Sequence, residues 1–320
     1  MAERAPESIH DTVLRREAID LLEVREGGIY VDATLGIGGH TDEILSRVAS
    51  ARVIGIDRDR LALELARTRL SSVGDRVTYV HANFSRLSAA VSELGFERVN
   101  GIVADLGVSS LQFDEAQRGF SFRHDAPLDM RMDADSDRPT AAQLLEMMPE
   151  ADIANLIYKF GEERFSRRIA REIVKAREKG DPVRTTKELA DLVERCLRRS
   201  HKEKTHPATR TFQALRIGVN QELDELERLL NVGIEILTPG GRFAVITFHS
   251  LEDRIVKQTF QRLSGKCFCP PRIPICVCGA VRKIEAVTKK PVTPGNDEIE
   301  KNPRSRSAKL RVVRRIADQT

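Results

Sequence analysis

The first third of the chain alternates short apolar runs with stretches that have the composition of helices. The apolar runs have the length of strands and cover 29–33, 52–57, 77–81 and 101–106. Strands that alternate with helices predict a parallel, doubly wound α/β sheet. Because crossovers between parallel strands are right-handed, the loops after these strands should share one edge of the sheet, where ligands bind.

Between residues 113 and 207 helical stretches replace the strand pattern. They cover 140–148, 150–158, 163–179 and 186–199. Thr185 and Glu188 have the spacing of a capping box for the last of these helices. The pattern predicts a helical domain, 113–207, inserted between the fourth and fifth strands. Residues 1–112 and 208–320 then form one discontinuous α/β domain.

The sheet pattern resumes after this insertion. A long helix is predicted over 209–237, and the Thr-Pro-Gly-Gly sequence at 238–241 is a strong stop. A strand follows at 242–248. Near the end of the chain, 281–288 and 309–315 alternate enough to form a strand pair that closes the sheet.

The predicted insertion is rich in arginine, which favours a surface that faces an acidic substrate such as RNA. Acidic residues are interleaved with the arginines, so a solvated charged face is the alternative. The residues concerned are Arg164, Arg167, Arg168, Arg171, Arg177, Arg195, Arg198 and Arg199.

The stretch from Ile29 to Thr41 has the form of a nucleotide-binding corner. An apolar run breaks at Gly36, Gly38 and Gly39 and then becomes a helix start. Glycine allows a positive φ and a close approach of the backbone to a ligand, and the first N–H groups of the helix face whatever lies there. The pattern is Gly-x-Gly-Gly, without the third glycine of dinucleotide enzymes, so an ordinary tight turn is the alternative.

Asp57 at the end of the second strand strengthens the nucleotide interpretation. It follows the glycine cluster at the spacing at which an acid meets ribose hydroxyls in nucleotide-binding βαβ units. A helix cap at a strand end is the alternative role. The joint pattern makes ribose binding the better interpretation.

Composition describes a soluble globular protein. The 320 residues are 41% hydrophobic and 31% charged, and the net charge of +4 permits an RNA partner without requiring one. No apolar run is long enough to span a membrane, and the first ten residues are not signal-like. We therefore expect a cytoplasmic protein whose five cysteines form no stable disulfides.

Four of the cysteines form two closely spaced pairs, Cys267-x-Cys269 and Cys276-x-Cys278. Four thiols so close together could bind a structural zinc. The C-x-C spacing and the intervening prolines instead favour buried or reduced thiols without metal. No metal is expected in the active site.

Seven sequence blocks, in order along the chain, are similar to those of one family. The blocks are Asp32-Ala33-Thr34-x-Gly36-x-Gly38-Gly39-His40, Asp105 to Ser110 with Gln112, Arg118 to Phe122, Pro127 to Asp133, Gly161 to Arg164, His206 to Ala214, and His249 to Arg254. From about residue 10 to residue 315 the chain resembles the RsmH (MraW) family. The resemblance implies a Rossmann-like class I sheet and S-adenosylmethionine-dependent methylation of N4 of a cytosine in the decoding region of 16S ribosomal RNA.

The resemblance also implies the site residues. Cofactor contacts fall on Gly38, Gly39, His40, Asp57, Phe84, Asp105 and Gln112. The catalytic candidates are Asp105, Ser109 and Ser110. The glycines would admit the amino-acid end of the cofactor, Asp57 would accept from the ribose hydroxyls, and Phe84 would offer an apolar wall to adenine.

The chemistry requires a positioned acceptor, because the lone pair of an exocyclic cytosine amine is delocalised into the ring. Asp105 supplies the acceptor. Phe120 or Phe122 is a candidate for stacking the target base, and the alternative is that both rings pin their loop to the core. Methylation at carbon 5 needs a cysteine nucleophile, and no cysteine follows the fourth strand.

Other classes of function fit the residues less well. A non-catalytic ribosome-assembly factor would not need Asp105 and Gln112 beside the glycine loop. A nicotinamide dehydrogenase would need the third glycine and a hydride-transfer pair. The family implies 16S rRNA within the assembled small subunit as the partner, and the sequence sets no oligomeric state.

Overall fold

The structure is a computed structural model that describes residues 12–197, 206–267, 269 and 277–317. It divides into two compact units. The sheet unit comprises Met1–Gly107 and Leu223–Thr320, and the helical unit comprises Val108–Glu222. Throughout the described part of the chain, no helix combines the length and the apolar composition needed to cross a bilayer.

The described residues of the sheet unit form seven strands. They are β1 (Ile29–Asp32), β2 (Arg52–Asp57), β3 (Val77–His81), β4 (Val99–Asp105), β5 (Leu237–Thr247), β6 (Ile284–Ala286) and β7 (Lys309–Arg315), in the spatial order β3-β2-β1-β4-β5-β7-β6. The first five are parallel, and β7 runs antiparallel to both β5 and β6. The predicted doubly wound α/β sheet is confirmed, including the strand pair at its end.

The helices of the described residues surround this sheet or form the helical unit. In chain order they are α1 (Arg15–Leu22), α2 (Gly39–Arg47), α3 (Arg60–Arg69), α4 (Leu87–Glu93), α5 (Ser110–Asp114), α6 (Ala141–Met147), α7 (Glu150–Gly161), α8 (Ser166–Glu178), α9 (Thr186–Cys196), α10 (Thr209–Asn220), α11 (Glu222–Ile236), α12 (Ser250–Leu263) and α13 (Asn296–Lys301). Short 3₁₀ helices lie at Ser71–Arg76, Phe84–Arg86, Ala116–Arg118 and Pro303–Ser307.

The prediction of a single helix over 209–237 is wrong. The structure divides it into α10 and α11 at Gln221, whose φ of 51° lies in the left-handed region. The helix ends close to the predicted position, because α11 ends at Ile236, and the residues of the predicted stop, 238–241, lie within β5. Val99 pairs with Leu237 and Gly101 with Arg242, so these residues bulge out of the strand between two paired positions.

Both faces of the sheet are buried, because side chains of each strand alternate between them. Val31 and Ile102 belong to a core cluster that also contains side chains of α4, α11 and α12. Tyr30 and Val103, one position away, belong to a second cluster with side chains of α1 and α2. Helices therefore cover both faces, and the ends of the parallel strands are left as the place for a site.

The helical unit has a core of its own, contributed by α6 to α10 and the loop before α6. It extends beyond the predicted insertion, 113–207, at both ends. The reason at the second boundary is the close approach of α7 and α10. A Cβ on Gly161 would lie 2.5 Å from the carbonyl oxygen of Arg210, so only glycine fits there.

The long polar loop before α6 is anchored by one buried amide, that of Asn220 at the end of α10. Its Oδ1 accepts from the N–H of Met132 at 2.8 Å, and its Nδ2 donates to the carbonyl of Met130 at 2.8 Å. Nδ2 also donates to the carbonyl of Arg216 at 2.8 Å. Met130 is fully buried with a φ of 63°, so these bonds hold a strained backbone in place.

We expect Asn220→Ala to lower the free energy of unfolding by about 2–4 kcal/mol, because it leaves the N–H of Met132 and the C=O of Met130 unpaired in the core. Urea unfolding followed by circular dichroism measures the change. Asn231→Ala is the matched control. That side chain is exposed and donates to the carbonyl of Glu227 at 2.7 Å, and its loss should stay within about 0.5 kcal/mol. Equal losses in the two variants would contradict the anchoring role.

Candidate active site

Three neighbouring parallel strands, β2, β1 and β4, each end in an aspartate: Asp57, Asp32 and Asp105. Parallel pairing places these strand ends at the same edge of the sheet, as the sequence predicted for Asp57 and Asp105. The edge is therefore acidic, and ligands of open α/β sheets bind at such an edge.

The loop between β1 and α2 contains two glycines that were predicted to contact the cofactor. Packing alone requires both of them. Gly38 has a φ of 85°, and a Cβ on it would lie 2.6 Å from Leu70. A Cβ on Gly39 would lie 1.7 Å from Oγ1 of Thr12. These contacts explain both glycines without a ligand, so contact of Gly38 and Gly39 with a cofactor stays a prediction.

Gly36 is the glycine with open space beside it, and the prediction of cofactor contacts left it out. Its φ is 53°, and the nearest atom to a Cβ built on it is the carbonyl oxygen of Thr34 at 4.0 Å. Its N–H donates to Oδ2 of Asp57 at 2.7 Å. The following helix, α2, has no side-chain cap at its N-terminus, so a ligand beside Gly36 would meet bare backbone and helix N–H groups.

The carboxylate of Asp57 fixes the glycine loop and can accept further hydrogen bonds. Oδ2 accepts from Gly36, and Oδ1 accepts from the N–H of Asp59 at 2.9 Å. Burial raises the pKa of Asp57, and the two N–H donors oppose the rise. The cap of α3 is Asp59, which accepts from the N–H of Leu61. Asp57 is therefore not a helix cap, and each of its oxygens retains a lone pair for another donor.

His40 lies at the same edge of the sheet as Asp32 and Asp105. Its side chain is 3% exposed, and its Nε2 is 3.6 Å from Oδ2 of Asp105. Asp32 is fully buried, and its Oδ2 accepts from the hydroxyl of Thr41 at 2.8 Å. The backbone N–H of Asp105 donates to the hydroxyl oxygen of Thr34 at 2.6 Å, which ties the end of β4 to the glycine loop.

Several buried polar atoms of this cluster lack a hydrogen-bond partner within the described residues: Oδ1 of Asp32, Oδ1 of Asp105 and both ring nitrogens of His40. Buried polar atoms are nearly always paired, so a cluster of unpaired ones marks a place where a ligand or ordered water completes the bonding. Burial raises the pKa of Asp32 from 3.8 to about 6, although His40 and Thr41 oppose the rise. Sequence reasoning quoted Asp32 in a motif but assigned it no role.

Phe84 follows β3 and starts a 3₁₀ helix that Asn83 caps. Its ring is 8% exposed and belongs to the core, and the guanidinium carbon of Arg58 lies 5.3 Å from the ring centroid. The ring is thus mostly covered by the protein itself. Contact of this ring with the adenine of the cofactor stays a prediction.

Ser109 and Gln112 form a capping box at the start of α5. The Ser109 hydroxyl accepts from the N–H of Gln112 at 3.2 Å, and Oε1 of Gln112 accepts from the N–H of Ser109 at 3.3 Å. Nε2 of Gln112 also donates to the carbonyl of Met132 at 3.4 Å. These bonds give both side chains a local structural role. Their cofactor and catalytic roles, with that of Ser110, stay predictions.

The two candidate stacking residues differ in exposure. Phe120 is 5% exposed in the core of the helical unit, which favours the alternative that its ring pins the loop. Phe122 is half-buried, and its ring centroid lies 4.5 Å from that of His206 and 5.0 Å from that of Phe212. Phe122 is thus the one of the pair with surface left for a base.

Of the arginines predicted to face RNA, one has a structural role and two line a surface cavity. Arg177 donates to the carbonyls of Leu145, Glu146 and Met148 and so caps the end of α6, which is a structural role. Two others, with two lysines, line a surface cavity of about 450 Å³ between α8 and α9. Its charged lining consists of Arg168, Lys175, Lys179, Arg195, Glu172 and Asp181. Arg198 and Arg199 lie outside the described residues.

We expect Asp32→Asn to change how stability depends on pH. A raised pKa means that folded Asp32 keeps a proton that the unfolded chain has lost. Its contribution to stability is therefore fully present below pH 3.8 and is lost as the pH rises through about 6. Between pH 4 and pH 7 the free energy of unfolding of the unmodified protein should fall by about 2 kcal/mol relative to the variant, as measured by urea unfolding.

Asp253→Asn is the control for this measurement. Burial would raise the pKa of Asp253, but hydrogen bonds and charge from Arg311 and Lys309 outweigh it, so the pKa is lowered. Its contribution to stability is lost only as the pH falls below the ordinary carboxyl range. The unmodified protein should therefore lose no stability relative to this control from pH 4 to pH 7. If the free energies of unfolding of the unmodified protein and Asp32→Asn changed equally with pH, the raised pKa of Asp32 would be contradicted.

Comparison with known proteins agrees with the resemblance found in the sequence. The MraW methylase family matches residues 7–316. The ribosomal RNA small subunit methyltransferase H of Geobacter sp. (strain M21) is 51% identical over 96% of this chain and 98% of its own length. The protein of the same name from Symbiobacterium thermophilum is 52% identical over 95% of this chain and 96% of its own. The chain therefore belongs to the MraW methylase family, a family of S-adenosylmethionine-dependent enzymes.

Proposed function

We propose that this protein methylates the exocyclic N4 of a cytosine in the decoding region of 16S rRNA, within the assembled small subunit, in the cytoplasm. The names of its relatives supply the rRNA substrate. The observation that carries the choice of an amine is Asp105, an acceptor at the end of β4 whose Oδ1 has no hydrogen-bond partner among the described residues. Ring methylation at carbon 5 would need a cysteine after β4, where the chain has Leu106-Gly107-Val108-Ser109-Ser110.

The residues at the sheet edge fit S-adenosylmethionine. The open side of Gly36 and the uncapped start of α2 suit the carboxylate of the amino-acid end, because helix N–H groups favour negative charge. The remaining lone pairs of Asp57 suit ribose hydroxyls. Phe84 and Gln112 stay candidates for contact with the cofactor. When bound, the cofactor supplies an electrophilic methyl group on its sulfonium.

Asp105 is the residue that prepares the nucleophile. By accepting from an N–H of the cytosine amine, its carboxylate localises the nitrogen lone pair and fixes the amine in the direction of attack. Thr34 holds the backbone of Asp105, and His40 lies 3.6 Å from its carboxylate on the buried side. The neighbours thus limit the orientations that the carboxylate can adopt. Ser109 and Ser110 stay candidates for a catalytic role.

The helical unit is the proposed RNA-binding part. Its cavity between α8 and α9 is lined by four basic and two acidic side chains, so the lining has an excess of positive charge. Backbone phosphates are the groups that such a surface binds, and binding of this kind weakens as salt rises. Phe122, with part of its ring uncovered, is the proposed contact for the extruded base.

We expect Gly36→Ala to weaken S-adenosylmethionine binding at least about tenfold, because the new methyl group fills the open side of the loop. Isothermal titration calorimetry measures the Kd. Gly27→Ala is the matched control: its φ is 66°, close to the 53° of Gly36, and no atom lies within 4 Å of its Cβ. Both variants should lose about 1 kcal/mol of stability from the positive φ. Equal affinity in the two would place the cofactor away from Gly36.

We expect Asp105→Asn to lower the rate of methyl transfer by about 10²–10³-fold, because the amide lacks the charge that localises the amine lone pair. The assay uses small subunits from a strain without the enzyme and counts N4-methylcytidine by mass spectrometry of digested rRNA. Asp42→Asn, an exposed acid on α2, is the control and should keep full activity. An unchanged rate in Asp105→Asn would remove it from the mechanism. Methylation at carbon 5 would refute the proposed product.

A further inference from the structure

The segment between α12 and β6 is closed at its base by two backbone contacts. Ser264 and Arg282 form an isolated antiparallel bridge, and the N–H of Lys283 donates to the carbonyl of Leu263 at 2.8 Å. We call residues 264–282 the cysteine excursion. The structure describes 264–267, 269 and 277–282 of it.

The excursion has no apolar core among its described residues, none of which is buried. Val277 is 76% exposed, and Val281 is also exposed. Segments that cannot bury enough apolar surface are ordered in small proteins by disulfides or metal ions instead. The described cysteines of the excursion are the residues that can supply such a link.

Cys267, Cys269 and Cys278 converge. Their sulfur atoms all lie within 4.8 Å of one another, and Sγ of Cys267 is 3.7 Å from Sγ of Cys278. A disulfide would need a sulfur–sulfur distance of about 2.05 Å. Sulfurs that bind one tetrahedral zinc at about 2.3 Å lie about 3.8 Å apart. At 3.7 Å the thiol of Cys278 donates to Sγ of Cys267, and this separation is also close to that of two ligands of one ion.

Backbone N–H groups point at two of the sulfurs. The N–H of Cys269 donates to Sγ of Cys267 at 3.4 Å, and the N–H of Val277 donates to Sγ of Cys269 at 3.4 Å. Donors of this kind fix the direction of the sulfur lone pairs. The thiolate is the form that binds a metal.

We propose that Cys267, Cys269 and Cys278 bind one structural zinc ion that holds the cysteine excursion together. Thiolates select soft or borderline ions, and zinc favours the tetrahedral arrangement that these distances fit. Cys267 is exposed and the other two are half-buried, so the alternative that the C-x-C spacing favoured is reduced here to free thiols without metal. Cys276 lies outside the described residues, and the fourth donor is left open.

The experiment measures metal in the full chain, expressed without a polyhistidine tag and purified under reducing conditions without chelator. Elemental analysis by mass spectrometry should find about one zinc per chain, and Cys267→Ser and Cys278→Ser should each retain less than about a tenth. Cys196→Ala is the matched control. This fifth cysteine is buried in α9, and its loss should leave the zinc in place.

Two further measurements separate loss of the metal from loss of the fold. Co²⁺ added to metal-stripped protein should give the absorption bands of tetrahedral thiolate coordination, and Cys267→Ser should lack them. Far-ultraviolet circular dichroism of the serine variants should match the unmodified protein, because no described side chain of the excursion is buried. Less than about a tenth of a zinc in the unmodified chain, iron in its place, zinc retained by both serine variants, or a Cys267–Cys278 disulfide would each overturn the proposal.

Discussion

The structure depends on one electrostatic constraint: three carboxylates sit side by side at the end of a parallel sheet. Parallel pairing of β2, β1 and β4 places Asp57, Asp32 and Asp105 at the same edge of the sheet. Each is accommodated differently. Asp57 receives two backbone N–H groups, Asp32 has its pKa raised to about 6, and Asp105 lies beside His40. The glycine loop supplies one of these donors, so its shape and the charges at the edge are mutually dependent.

This constraint also explains why the site is acidic yet suited to a cationic methyl donor. A sulfonium beside ionised carboxylates is favoured by Coulomb attraction, which is strong where water is excluded. The amino-acid carboxylate of the same ligand needs the opposite environment, which the uncapped N-terminus of α2 would provide in the proposed site. One strand end and one helix start, joined by the glycine loop, thus offer both signs of charge over a short distance.

The sequence was sufficient for features with a local signal. The strands over 52–57, 77–81 and 309–315 have the predicted bounds, because each is a compact apolar run between polar residues. The break at Gln221 was missed because a helical pattern continues on both sides of it. The roles of the glycines needed tertiary packing: Thr12 and Leu70 explain Gly39 and Gly38, and neither contact follows from spacing in the chain. The sequence likewise could not predict which side-chain atoms of Asp32 and His40 have no hydrogen-bond partner among the described residues, because the burial of those atoms depends on the fold.

The antiparallel end of the sheet indicates what the cysteine excursion would stabilise. β6 has three residues and pairs with β7 alone, so its contribution to the sheet is small. The chain reaches β6 only after the cysteine excursion, and the entropy of loop closure opposes that pairing. A metal ion bound inside the excursion would remove part of this entropy before β6 pairs. The bridge between Ser264 and Arg282 and the ion pair of Arg314 with Glu285 would then need to stabilise only a short remaining segment. The cysteines would then serve the antiparallel end of the sheet rather than the carboxylate edge, where we propose that the cofactor binds.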